Sequence, residues 1–272
     1  MEAVEEVAGK FMDTGAAIKL AILAGETMLS SGAETYRVED TMLRILRHCG
    51  VSDPESLCTS TAIFASATDA KGNPAAMLRR VKNRGGNFAR VAQVNELSRR
   101  FVEGKINIGE AIAVLEGINT TPPYSNIVRL VGSAVASLCF AVMFGGSAMD
   151  AAAAFISAFL MQIPVIFLEK RNIAAVLRNI AGGGFGALFA LTLMSFGLGE
   201  NLDFVIIGSI MPLVPGVSLT NAIRDILEGD LLSGSARILD AFLVAIGIAA
   251  GVGTVLTLWI SLFGAVAGGV AL

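Results

Sequence analysis

Hydrophobic and polar positions divide this chain into two regimes. Up to about residue 120 the apolar residues recur at helical or strand spacing among charges; beyond it they run almost without interruption. In the first regime Thr14–Ser30 reads as a helix, with Ile18, Ala21, Ile22, Met28 and Leu29 near helical spacing and Ser31-Gly32 as its stop. Thr35–Cys49 reads as a second helix, amphipathic through Val38, Met42, Ile45 and Leu46. Thr59–Ala67 alternates around Ile63 and Ala65 as a strand, the Asp69–Pro74 cluster turns the chain, and Ala75–Val81 returns as its hairpin partner. A basic glycine-containing loop, Asn83–Gly86, precedes helices at Ala89–Phe101 and Ile108–Leu115.

In the second regime residues 127–144, 148–168, 173–198, 203–228 and 238–263 read as five spans, where about 20 apolar residues cross a hydrocarbon core. The expected fold class is a membrane α-helical protein: five transmembrane helices, one broken by Pro and Gly, preceded by a small cytoplasmic α+β domain. The expected domains are 1–121 and 122–272, divided at Thr120-Thr121-Pro122-Pro123, which cannot continue a helix. The Gly182-Gly183-Gly184 run in the third span suits close helix contact.

Composition sharpens this picture. Apolar residues make up 54% and charged residues 16%, against about 45–50% and about 25% in soluble domains. Residues 1–120 hold 14 of the 20 Lys+Arg, and the six others are Arg129, Lys170, Arg171, Arg178, Arg224 and Arg237. With five spans each of these six falls at one side, which the positive-inside rule makes cytoplasmic, leaving the C-terminus outside. The opening stretch Met1–Val7 carries three glutamates and is not a secretory signal. A net charge of −3 argues against a nucleic-acid partner. Cys49, Cys58 and Cys139 lack CxxC spacing and His48 is the single histidine, so neither a metal site nor a cofactor is expected. No nucleophile motif or phosphate loop is present, so no catalytic residue is assigned.

The candidate chemistry lies in the fourth span. Pro212 and Pro215 each remove a backbone donor, and Gly216 lets a ligand approach the backbone. Ser218 is a natural N-cap for a new helix, with Thr220 and Asn221 in its first turn. A break at mid-depth is tolerated only in protein or beside a wet cavity, and a half-helix N-terminus favours an anion such as a carboxylate. Pro215, Gly216, Ser218, Thr220, Asn221 and Arg224 are therefore the candidate substrate-binding residues. Asp225, Asp240 and Asp150 are candidates for proton coupling, against the plainer reading of Asp240 as an ion-pair partner of Arg237. Ser31–Glu39 is unusual for a helix start: either Glu34 and Thr35 cap the helix, or the segment contacts a ligand or the membrane half.

Two segments carry a resemblance. Ser31-Gly32-Ala33-Glu34-Thr35-Tyr36-Arg37-Val38-Glu39, and Pro212-Leu213-Val214-Pro215-Gly216 continuing to Asp230 through Asn221-Ala222-Ile223-Arg224-Asp225, resemble the bacterial threonine/serine exporter family. Single-chain members carry a second block of about five spans, which is missing here, so the chain is similar to the larger subunit of a split exporter such as the two-component succinate exporter. The resemblance implies export of small carboxylate-bearing metabolites across the inner membrane, coupled to the proton gradient. It also implies a smaller membrane subunit of about 150 residues, or a homo-oligomer, that supplies an inverted set of spans. Membrane lipid is the other expected partner. A C4-dicarboxylate exporter is the alternative; a membrane-anchored enzyme and a regulatory membrane subunit rank below both.

Overall fold

The computed structural model describes residues 13–81, 85–120 and 124–264. The acidic opening stretch, the start of the basic loop at Asn83 and Thr121–Pro123 of the expected boundary lie outside these residues. The described chain forms two compact units. One joins the residues up to Thr120 with Val217–Ile238; the other joins Tyr124–Gly216 with the chain from Leu239.

In the first unit helix α1 (Thr14–Ser30) is the centre of the core. It is apolar almost all round, as a helix buried on every side must be; Ile18, Leu20, Ile22, Met28 and Leu29 are all buried. Helix α2 (Thr35–His48) lays Val38, Met42, Ile45 and Leu46 onto it. Strands β1 (Ser52–Cys58), β2 (Ala62–Thr68) and β3 (Pro74–Arg80) form an antiparallel meander in the order β1-β2-β3. Cys58 pairs with Ile63, and Ala65 with Met77. The expected hairpin is β2–β3, with Ile63, Ala65 and Ala67 on the buried face. Strand β1 has no counterpart in the sequence reading, because Ser52-Asp53-Pro54-Glu55 is polar, holds a proline and includes Asp53 at φ +46°. It survives as an edge strand with a register shift between Ser52 and Glu55. Helices α3 (Phe88–Val102) and α4 (Ile108–Thr120) close the core with Val91, Val94, Leu97, Phe101 and Leu115.

The second unit contains α5 (Asn126–Met143), α6 (Ala148–Lys170), α7 (Ala175–Ser195) and α8 (Leu202–Ile210). A 3-10 turn follows at Met211–Leu213, then α9 (Gly216–Leu227) and α10 (Leu231–Phe263). Among the described residues four helices, α5, α6, α7 and α10, are long and apolar enough to cross a membrane, and there are five spans if the segments before and after the break count as one. Close helix contact at the glycine run is real. A Cβ on Gly183 would stand 2.4 Å from the Ile248 carbonyl, and one on Gly251 2.0 Å from the Ile180 carbonyl, so α7 and α10 meet backbone to backbone. Helix α10 begins at Leu231, seven positions before the expected 238. Asp230 Oδ1 accepts the Ser233 N–H at 3.1 Å and caps it.

The break falls where two prolines put it. Helical bonding stops at Val214, whose backbone is extended at φ −65° and ψ 132°. Helix α9 then starts at Gly216 rather than at Ser218. Pro215 holds the approach to the first turn in the helical φ range, so the turn closes without a Ser218 cap.

Candidate functional site

Two segments that stand apart by about 190 positions meet inside the first unit. The chain leaves α1 through Gly32 at φ +90°, where a side chain would be strained and would also come to 3.0 Å from the Gly85 carbonyl. This turn presents two carbonyl oxygens in succession. Asn221 Nδ2 of α9 donates to Gly32 O at 2.8 Å, and the Arg237 guanidinium of α10 donates to Ala33 O at 3.1 Å. Thr35, the first residue of α2, donates its backbone N–H at 3.2 Å and its hydroxyl at 2.8 Å to the same oxygen, Asp225 Oδ1. The other oxygen, Asp225 Oδ2, lies 3.0 Å from Arg237 Nε; the angle is not that of a hydrogen bond, so charge rather than alignment holds the contact.

Asp225 is fully buried, and Thr35, Asn221 and Arg237 are buried with it. The physical logic is a cap supplied from a distance. Glu34 occupies the N-cap position of α2 but makes no cap bond with its side chain. Asp225 instead brings a carboxylate to the first N–H of α2, where the helix dipole favours an anion.

Above this buried layer sits a more exposed one. Arg224 of α9 donates to Glu34 Oε1 at 2.7 Å, and Arg37 of α2 donates to Glu34 Oε2 at 3.2 Å. Burial pushes the Glu34 carboxyl upward, but its backbone amide and the two arginines prevail and hold it below the ordinary glutamate range. Glu39, one turn further along α2, accepts the Cys58 N–H at 2.6 Å. Burial raises its pKa, the Cys58 amide opposes this, and the nearby Asp230 and Asp225 charges add to the rise. Burial also pushes the Cys49 thiol up to about 11 and raises that of Cys58, so neither is an activated nucleophile.

The other sequence candidates are placed differently. Ser218 and Thr220 lie exposed on α9. Pro215 and Gly216 belong to the second unit, and nothing stands within 4 Å of the position a Gly216 Cβ would take. Asp240 lies exposed on α10 in the second unit. Asp150 closes a capping box with Ser147 at the start of α6. Its Oδ1 also accepts the N–H groups of Glu200 and Asn201 at 2.7 and 2.8 Å. Among the described residues no group of three or more His, Cys, Asp or Glu is placed to hold a metal ion.

Helix α9 is amphipathic in an inverted sense. Its buried positions include the polar Asn221 and Asp225, while Leu219, Ile223 and Leu227 are exposed. The sequence singles out Asn221, Arg224 and Asp225, leaves Glu34 and Thr35 between two readings, and does not connect Arg237 with Asp225. The available signal was negative: α2 opens without Ser, Thr, Asp or Asn at its N-cap, so its cap comes from elsewhere in the chain.

The threonine/serine exporter profile matches residues 19–259, a stretch that takes in both segments of this cluster. The chain belongs to the threonine/serine exporter family. Over 243 residues it is 24% identical to the "Probable threonine/serine exporter" of Mycobacterium tuberculosis, covering 89% of this chain and 46% of that protein. It is 26% identical over 243 residues to the "Threonine/serine exporter" of Corynebacterium glutamicum, covering 87% of this chain and 50% of that one. The chain thus spans about half the length of these two relatives. With the "Probable succinate transporter subunit YjjP" of Escherichia coli K12 it shares 25% identity over 249 residues, and there the match covers 90% of this chain and 95% of the relative. No solved structure matches the chain. Membership in this family, together with the long apolar helices, makes it a multi-pass membrane protein of an exporter family.

Proposed function

We propose that this member of the exporter family is one subunit of a secondary exporter in the bacterial inner membrane. It moves small carboxylate-bearing metabolites of the threonine/serine type outward, coupled to the proton gradient. The observation that carries this reading is the backbone break at Val214–Pro215 in an exporter-family chain, followed by a helix with a polar buried face. Freed backbone groups at such a break suit a transporter cavity, and the start of α9 offers N–H groups to an anion.

In this reading Pro215 and Gly216 open the backbone to cargo. Ser218, Thr220 and Asn221 line the half-helix, and Arg224 is the cation for the cargo's carboxylate. Asp225, Asp240 and Asp150 are the carboxylates on which proton coupling is to be tested. The N-terminal unit lies in the cytoplasm, as the placement of Arg129, Lys170, Arg171, Arg178, Arg224 and Arg237 supports. The expected partner is a smaller membrane subunit of about 150 residues or another copy of this chain; two relatives are named as transporter subunits.

A second reading, a C4-dicarboxylate exporter, rests on the similarity of about 90% of this chain to two probable succinate transporter subunits. The deciding experiment reconstitutes the full chain in liposomes, alone and with a smaller membrane protein of about 150 residues where the neighbouring reading frame encodes one. Efflux of labelled threonine, serine and succinate is then followed with and without a pH gradient. Gradient-dependent efflux of threonine or serine is expected. Efflux of succinate alone selects the second reading, and no efflux of any of the three, with the neighbouring protein present, overturns both.

A further inference from the structure

The contacts between α2 and α9 fall into two layers of different character. In the inner layer every side chain is nearly or wholly buried: Thr35 at 2% exposure, Asn221 at 6%, Arg237 at 7% and Asp225 at 0%. In the outer layer one carboxylate is buried and two cations are open. The Glu34 side chain is 8% exposed, whereas those of Arg37 and Arg224 are 40% and 55% exposed. Each Glu34 oxygen is taken by a different guanidinium, and the two guanidinium groups come from different helices. That is the arrangement by which proteins recognise a free carboxylate. The recognised group here is the chain's own.

The two layers also differ in what a rearrangement would require. Gly32, Ala33 and Thr35 anchor the turn through their contacts with Asn221, Arg237 and Asp225. None of these contacts uses the Glu34 side chain. A rotation of the Glu34 side chain therefore breaks none of the inner-layer contacts. The guanidinium groups face solvent, so a solute reaches them without entering the core, and half-exposed ion pairs are held weakly.

We propose that Glu34 is a tethered stand-in for the carboxylate of the cargo, and that Arg37 and Arg224 form a receiving site that a solute carboxylate occupies when Glu34 withdraws. This rests on the export reading for its physiological meaning but names a site of its own. Arg224 lies eight residues beyond Gly216 along α9, about 12 Å at 1.5 Å per residue. The site is thus set off along α9 from the backbone break. Amino acids and dicarboxylates both carry the required group, so the site selects for a carboxylate and leaves the rest of the molecule to be read elsewhere.

The test is equilibrium binding to the full purified chain in nanodiscs, measured by titration calorimetry with threonine, succinate and threoninamide, which lacks the carboxylate. E34Q keeps the size of the side chain and removes its charge. It is expected to bind threonine or succinate at least about threefold more tightly than the parent, by removing the competing carboxylate. Threoninamide should gain nothing. R224Q placed on E34Q should abolish the gain. E34D, whose shorter reach loosens both ion pairs, should give a smaller gain in the same direction and serves where E34Q fails to fold. Equal or weaker carboxylate binding in both Glu34 variants, including no binding at all, overturns the proposal. So does an equal gain for threoninamide. Because binding is measured without transport, a tighter E34Q in a protein that exports nothing would uphold this site while refuting the exporter reading.

Discussion

Asp150 and Asp225 are both buried aspartates, yet they hold their surroundings in opposite ways. Asp150 spends its oxygens on backbone N–H groups, at Ser147 in its own turn and at Glu200 and Asn201 in a loop of the same unit. Asp225 takes one backbone N–H, one hydroxyl and one guanidinium, all from elements remote in sequence or beyond its own helix. The first is a cap that also pins a loop. The second is a junction between α2, α9 and α10. A charge satisfied by backbone amides leaves only neutral donors behind when it is lost. A charge paired with another buried charge leaves that partner behind in a low-dielectric site.

The largest effect is therefore expected at the junction. Asp225→Ala should destabilise the chain by about 3–5 kcal/mol by stranding Arg237, seen as a large drop in thermal unfolding temperature in nanodiscs. Adding Arg237→Met should recover most of the loss; no recovery would mean that the ion pair is not what holds the junction. Asp150→Ala should cost less, about 2–3 kcal/mol from the lost cap and unsatisfied amides, and it should raise proteolysis in the 197–201 loop. An equal or larger loss than at Asp225 would erase the contrast. Gly251→Ala tests the glycine contact in the second unit. It should cost about 1–3 kcal/mol by overpacking against the Ile180 carbonyl, with no change at the junction. Arg224→Ala should shift stability by only about 0–1 kcal/mol, since the Arg224 side chain is 55% exposed and Arg37 still pairs with Glu34.

The smallest effect is a pH slope. The Glu39 carboxyl is raised in the folded chain, so its contribution to stability is fully present below the ordinary glutamate value of 4.5 and is lost as the pH rises through the folded value. Glu34 has the opposite sign: its contribution is present above 4.5 and is lost as the pH falls through its lowered value. Glu39→Gln should flatten the loss on the alkaline side and leave the acid side alone, in unfolding curves measured across that range.

Much of the architecture was readable from local pattern. The helices α1 and α2, the β2–β3 hairpin, four long apolar helices and the proline break all follow from spacing or from residues with a fixed backbone habit. Strand β1 escaped because Pro54 and Asp53 are poor strand residues, and only an edge position tolerates them. The early start of α10 escaped because Ser233, Ser235 and Arg237 look like a loop until Asp230 is seen as their cap. Of the site, Asn221, Arg224 and Asp225 were visible as unusual polar residues in an apolar stretch. Their partners Glu34 and Thr35 were visible only as an unusual helix start open to two readings.

Taken alone, the order of residues determined which stretches are helical, which are apolar enough to cross a membrane, and where the backbone has to break. These are properties of neighbours a few positions apart, and sterics and hydrophobic periodicity act at that range. Tertiary structure alone decided that Asp225 caps α2, that Arg237 turns to Asp225, and that Glu34 sits between Arg37 and Arg224. The pairings of Thr35 with Asp225 and of Glu34 with Arg224 span 190 positions, and no local preference encodes them. They arise because polar groups buried by the docking of α9 and α10 must find partners where they lie.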